Sequence, residues 1–581
     1  MLSHVLSVLV YAGSALLLAV VVASAPAMTR LLRGTALVLG GSALLAAAAL
    51  EVPLTGLPFW SRDFSLTWTV MVATLGAAVA LVAPRLLAAL RSRRGVQPTP
   101  LSGGGASGTV PGGEPSDVAR RDLWWNEHGP RPFALACVPK ARIGAILAGA
   151  LLLLLYAYGV ERSFQRVNTD PSRVDQSAYL SYANRIQQSE FSYVGNRNRM
   201  PAYPFFLALT LDDPGAPTAF AQAKMLNSLL SIGLLTGIGL LLFRRLPALA
   251  AATLILITAF ELFAYKAAYV QAELLFYALS FGLFVLMIES FRRPSLGGAV
   301  ALGILAGLAQ LTKASELPVM VVFAAVVAGS SAVAGVKLAR GGGDGKVTTV
   351  LPEVLRLGVV LAFFLLTILP YIKNSWYRYG HPFYNVNSTF YVWYDSWAEV
   401  EQGTRAHGDR VGWPDMPPDQ IPSPSKYLRE HRLSDIAARL GRGIGLTVST
   451  ALDSFSYAGP ILFLGTALAS AAFLEKKRLL SWIGRHRALA VFLVAYFGLQ
   501  LLAFSWFAEM VDGNRLVLVM LVPLLFILAL GIQTLLSGRA IRWGRRQLSL
   551  SDALFAMAFI VVLADILFRF PGRIGVVWGG S

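Results

Sequence analysis

The feature that most constrains this chain is a series of long apolar runs, with the charged residues pushed into the gaps between them. A helix needs ~20 apolar residues to cross the hydrocarbon of a bilayer, and only helices or closed barrels satisfy their backbone there. Windows of that kind fall near 8–28, 35–51, 67–91, 143–160, 219–243, 248–264, 272–290, 297–312, 317–336, 355–372, 457–473, 488–507, 516–535 and 552–568. The expected fold is therefore an all-α polytopic membrane protein with about fourteen spans. Only 14% of residues are charged, against about a quarter in soluble domains. The first run has only His4 before it and ends in Thr29-Arg30 without a small-residue cleavage pattern, so it reads as a retained helix.

A net charge of +18 raises the question of nucleic acid. The placement of the charge answers it. Arg91 to Arg94, Arg244-Arg245, Arg292-Arg293, Lys476 to Arg478, and Arg542 with Arg545-Arg546 all sit at one end of successive spans. That is the cytoplasmic bias of membrane proteins, and no nucleic-acid partner is expected. The bias puts both termini and loops 161–218, 374–456 and 508–515 outside. The single cysteine, Cys137, excludes a disulfide within the chain.

Three regions follow. Residues 1–95 carry three spans and read as an accessory unit. Residues 96–141, rich in Gly, Pro and Ser as far as 131, read as a flexible cytoplasmic linker. Residues 142–581 carry the remaining spans and the outer loops 161–218 and 374–456. Within the second loop, Leu428, Ile436, Leu440 and Ile444 with interleaved arginines predict an amphipathic helix lying on the membrane.

Outer loops should be poor in cations, yet 161–218 holds Arg162, Arg166, Arg173, Arg185, Arg197 and Arg199. An anionic ligand is the natural reason. Asp175 starts a short helix on which Val174, Ala178 and Tyr182 share a face beside Tyr179 and Ala183. It has two readings, a helix N-cap or a general base whose basicity is raised by partial desolvation. Pro201 and Pro204 argue against a regular helix there and fix the directions of Arg199 and Tyr203. Lys266 and Lys313 either snorkel to headgroups or serve a site, and Glu273 has Lys266 as a nearby partner.

Asp175, Tyr179 and Ala183, followed by Arg199-Met200-Pro201-Ala202-Tyr203-Pro204, resemble the first outer loop of GT-C glycosyltransferases, particularly protein O-mannosyltransferase and aminoarabinose-transferase-like members. Gln271 to Leu275, Gly307 to Lys313, Leu369 to Asn374 with Tyr379 to Pro382, and Gly513 to Leu516 are similar to later elements of that family, in order, across about 143–535. The resemblance implies a GT-C-type helix bundle with amphipathic outer-loop helices. It implies a polyprenyl-phosphate-linked sugar as donor and an envelope glycan, lipid or protein as acceptor. It places the protein in the cell (inner) membrane, with the site on the outer face. Asp175 would be the base of an inverting transfer. Tyr179, Arg199, Tyr203, Glu273, Lys313, Lys373, Asn374 and Arg515 would bind substrate. Asp175-Gln176 stands where some relatives carry two acidic residues, so a divalent metal ion is left open. Trp393 and Trp397 are further candidates, for sugar stacking.

The residues bear on other functional classes too. A Walker A motif and a His-Glu-x-x-His motif are absent, which removes ATP-driven pumping and zinc hydrolysis. A transporter or lipid-linked-sugar flippase would favour internal repeats and helices broken at the midplane. No repeat is visible. A scaffold role in envelope assembly would suit the three extra spans.

Overall fold

The computed structural model describes residues 139–339, 347–455, 458–510, 513–543 and 546–574. The spans expected within 1–95, most of the 96–141 linker and the Gly-rich loop 341–345 lie outside the described residues. Residues 139–154 belong to a separate unit from 155 onward, and the account below concerns the latter.

Helices dominate because apolar sequence of this length satisfies its backbone no other way in lipid. In chain order the principal ones are α1 Pro139–Arg162, α2 Gln176–Gln188, α3 Ala202–Thr210, α4 Ala219–Arg245 and α5 Ala248–Thr258. A wider turn, Ala259–Phe263, carries α5 on to Lys266. Then come α6 Glu273–Arg292, α7 Leu296–Thr312, α8 Leu317–Ala339 and α9 Val347–Tyr379. The second long loop contributes α10 Pro424–Glu430 and α11 Leu433–Asp453. The chain closes with α12 Ala458–Leu474, α13 Lys476–Arg485, α14 Arg487–Phe507, α15 Leu521–Leu536 and α16 Leu550–Arg573.

Among the described residues, eight helices are long and apolar enough to cross a membrane. The expected spans at 297–312 and 457–473 form helices of 17 residues each, short of that length. An all-α architecture needs one amendment. Ala540–Trp543 and Arg546–Ser549 form an antiparallel hairpin in the basic segment before α16.

The glycines of α7 have a packing reason. A Cβ on Gly303 would lie 2.5 Å from the Val360 carbonyl, and one on Gly307 would lie 2.5 Å from the Thr367 Cβ. Small residues one turn apart let α7 lie directly against α9. At the same end of the bundle α2, α3 and the turn before α6 share a core of Tyr179, Tyr182, Ala183, Ile186, Tyr203, Leu207 and Val270.

One local expectation is corrected. The two prolines do not prevent a helix, because α3 begins at Ala202 with Pro204 in its first turn, where the missing N–H has no helical partner to lose. The helix at 433–453 forms as an amphipathic element and has a packed face as well. Its buried stripe is Arg439, Gly443 and Thr447. The close approach of Gly443 to the Ser505 carbonyl packs it on α14, and Ile436, Leu440 and Ile444 are left half-exposed.

Candidate functional site

The first outer loop is stitched to the turn before α6 by buried amides. Gln176 is fully buried, and its Oε1 accepts from the Val270 N–H at 2.9 Å and from Asn168 Nδ2 at 2.7 Å. Its Nε2 donates back to Asn168 Oδ1 at 2.7 Å, and Asn168 Nδ2 also donates to the Ala268 carbonyl. Gln271 Nε2 donates to the Val174 carbonyl. These bonds hold Val174 and Asp175 in the left-handed region, at φ 48° and 70°. That region is costly for a β-branched residue, of the order of 1–3 kcal/mol, and such strain clusters at functional positions. Gln176 therefore serves the turn. It holds Asp175 out of the core.

Asp175 occupies the N-cap position of α2 but makes no capping hydrogen bond. Arg199 Nη2 donates to its Oδ1 at 2.7 Å, and Arg515 Nη1 donates to its Oδ2 at 3.1 Å. Its side chain is 40% exposed, against 17% for Arg199 and 31% for Arg515. The expected rise in basicity is reversed. Burial pushes the carboxyl up, but the two guanidinium groups outweigh it and hold Asp175 below the usual carboxylate range.

Glu273 opens α6 and is buried, and Lys313 at the end of α7 donates to its Oε1 at 3.0 Å. Its partner is thus Lys313, not Lys266. The reason is tertiary: α6 and α7 pack antiparallel, so their adjoining ends meet, whereas Lys266 ends a different helix. Lys266 Nζ instead lies 3.5 Å from Asn514 Oδ1. Lys313, Arg515 and Lys266 all act electrostatically on Glu273. Tyr277 Oη donates to the Arg515 carbonyl at 3.1 Å, fixing the turn that carries that arginine. Tyr179 packs edge-on against Tyr203, with the Arg199 guanidinium 5.7 Å from its ring centre.

Six charged side chains therefore meet at one end of the bundle, from five separate segments. Arg199, Lys266, Lys313 and Arg515 stand against Asp175 and Glu273, four cations to two carboxylates, a formal surplus of two positive charges. Among the described residues, the buried Arg199 Nε and Glu273 Oε2 have no hydrogen-bond partner. A cluster with surplus cations and an unused Arg199 N–H is suited to an oxyanion.

Not every candidate joins it. Lys373 is exposed, and among the described residues no hydrogen bond or ion pair ties it to the cluster. Asn374 packs on the 192–195 segment, its Nδ2 donating to the Ser192 carbonyl at 3.3 Å. Among the described residues no three His, Cys, Asp or Glu side chains converge as a metal site requires. Asn168 and Gln176 gain their places only through tertiary contacts. A buried polar residue beside a charged one was the available signal.

A second polar network joins residues distant in the sequence. Asp395 accepts from Tyr427 Oη at 2.7 Å and Arg439 Nη1 at 2.8 Å, and its Oδ2 lies 2.7 Å from His431 Nε2. Arg439 is almost fully buried and lies over the Trp506 ring at 4.3 Å. Trp393 packs near Tyr427 and Trp506, while Trp397 is 41% exposed beside Arg405. No family model, no curated protein and no solved structure matches this chain.

Proposed function

We propose that this chain is an integral membrane glycosyltransferase, moving a sugar from a polyprenyl-phosphate donor to an acceptor on the outer side of the membrane with inversion. The observation that carries the reading is the cluster of four cations and two carboxylates, with the half-exposed Asp175 held by two of the cations, at an end shared by membrane-length helices. In the reaction an acceptor hydroxyl attacks the anomeric carbon and its proton passes to Asp175. The bond from that carbon to the phosphate oxygen breaks, and the polyprenyl phosphate leaves with the electron pair. Arg199, Arg515 and Lys313 stabilise the charge that develops on it. Tyr179 and Tyr203 form an aromatic wall beside Arg199, and Glu273 orients Lys313.

A second reading, transport or flipping of a lipid-linked sugar, draws on a separate cavity of about 340 Å³ lined by Ile257, Glu261, Phe463, Val561, Asp565 and Arg569. Charged groups inside a membrane bundle are often transport elements. One experiment separates the two. Purified protein in detergent is incubated with radiolabelled polyprenyl-phosphate sugars and extracted envelope acceptors. Label appearing on an acceptor without a sealed bilayer supports transfer. Movement of label only between the leaflets of sealed vesicles supports transport.

A further inference from the structure

Both oxygens of Asp175 are engaged by arginines, Oδ1 by Arg199 and Oδ2 by Arg515. A carboxylate so held is a poor proton acceptor, because taking a proton would break a charge-assisted hydrogen bond. The same two guanidinium groups are the donors best placed for a ligand phosphate. The two duties conflict while Asp175 stays where it is. We propose that the Asp175 carboxylate holds the seat of the ligand's own anionic group, so that a phosphate ester binds Arg199 and Arg515 by displacing it, and the displaced carboxylate becomes the proton acceptor. This deepens, and rests on, the reading of the cluster as a lipid-phosphate site.

Three observations support the exchange. Arg199 donates to Asp175 and to Asn198 Oδ1 at 3.0 Å and still has a buried Nε without a partner among the described residues, so its planar fork has capacity beyond those bonds. The cluster is left two charges positive with Asp175 ionised, so an incoming anion is attracted before the clasp opens. Asp175 makes no capping hydrogen bond and its side chain is 40% exposed, so among the described residues only the two arginines hold its carboxylate in place. Donor binding would then come first and would switch on the base, which protects the donor from water until it is seated. The other charged groups facing the clasp, Lys266, Glu273 and Lys313, are paired with each other or with Asn514 and do not compete for it.

The test uses the full chain in phosphatidylcholine nanodiscs, with farnesyl phosphate as probe and farnesol as the phosphate-free control. Binding is measured for wild type, Asp175→Asn, Asp175→Ser, Arg199→Ala and Arg515→Ala, with thermal unfolding checked for each. The clasp requires both Asp175 variants to bind farnesyl phosphate about tenfold tighter than wild type, the scale of one charge-assisted hydrogen bond. Both arginine variants should bind it more weakly, with farnesol binding unchanged throughout. Weaker binding in the arginine variants, with no gain in either Asp175 variant, overturns the clasp and leaves the phosphate site standing. Equal binding of farnesyl phosphate and farnesol by wild type and both Asp175 variants overturns the phosphate site and the clasp together.

Discussion

The two polar networks at this end of the molecule are built from the same residue types and solve opposite problems. Around Asp395 the partners close on one another. Its carboxylate receives Tyr427, Arg439 and His431, and Arg439 reaches the Trp506 carbonyl at 3.2 Å as well. Around Asp175 the partners do not close. Cations outnumber carboxylates, buried donors and acceptors are left over, and the backbone is held at positive φ. Each network leaves one buried arginine Nε without a partner among the described residues, Arg439 in the first and Arg199 in the second. The contrast therefore lies in charge. A carboxylate matched by one arginine ties a loop to a helix, whereas two surplus cations await another anion. The difference teaches that the presence of an ion pair says little. What its neighbours leave unspent says more.

The sharpest way to break this comparison is to make the same swap in both places. Asp175→Asn should lower sugar transfer by roughly 10²–10⁴-fold, the range for losing a general base, with the protein still folded. Asp395→Asn should do the reverse, lowering the unfolding temperature while turnover per folded molecule is retained. Equal losses of turnover in the two variants, measured with one donor preparation, would erase the distinction.

Arg439→Ala comes next. Removing one partner of a fully buried charge pair typically costs about 3–5 kcal/mol. Arg439 is 2% exposed but Asp395 is 40% exposed, so a smaller loss, about 1–3 kcal/mol, is expected. Chemical denaturation in detergent should show that loss, and a change below about 1 kcal/mol would mark the pair as a surface interaction. Arg515→Ala is expected to be milder in stability and specific in binding. Donor affinity should fall about tenfold to a hundredfold, the value of a charged hydrogen bond to phosphate. Unchanged affinity would hand Arg515 to the structure alone.

The smallest effect concerns pH. Both ring nitrogens of His431 face acceptors, Nε2 the Asp395 carboxylate and Nδ1 the Tyr427 carbonyl at 3.0 Å. Burial pulls its pKa down, but those hydrogen bonds and the charge of Asp395 outweigh it and raise it above the ordinary value near 6.5. A group whose folded pKa is raised contributes stability that is complete below the unfolded value and is lost as pH rises through the folded one. The unfolding temperature should therefore drift down above neutral pH in wild type, and that slope should be missing in His431→Gln.

Much of the bundle is legible in the sequence because a membrane helix must announce itself over some twenty residues. Individual site charges were legible for a related reason: Arg199, Glu273, Lys313 and Arg515 are costly near a membrane and need an explanation. Their pairing was not. Which cation Glu273 takes depends on how α6 meets α7, and the basicity of Asp175 depends on Arg515, 340 residues away along the chain. Arg439 was hidden differently. On an amphipathic pattern an arginine reads as polar surface, and only Trp506 and Asp395, distant in sequence, turn that position inward.

The glycine contact between α7 and α9 carries a mechanical consequence. Gly303 lies against the Val360 carbonyl and Gly307 against the Thr367 side chain, with no side chain from α7 at either point to act as a cushion, so the two helices move as one blade. Lys313 sits at the tip of that blade, one residue past Thr312. A larger residue at Gly307 would wedge the blade apart far from any charge. It would nonetheless swing the ammonium group away from Glu273.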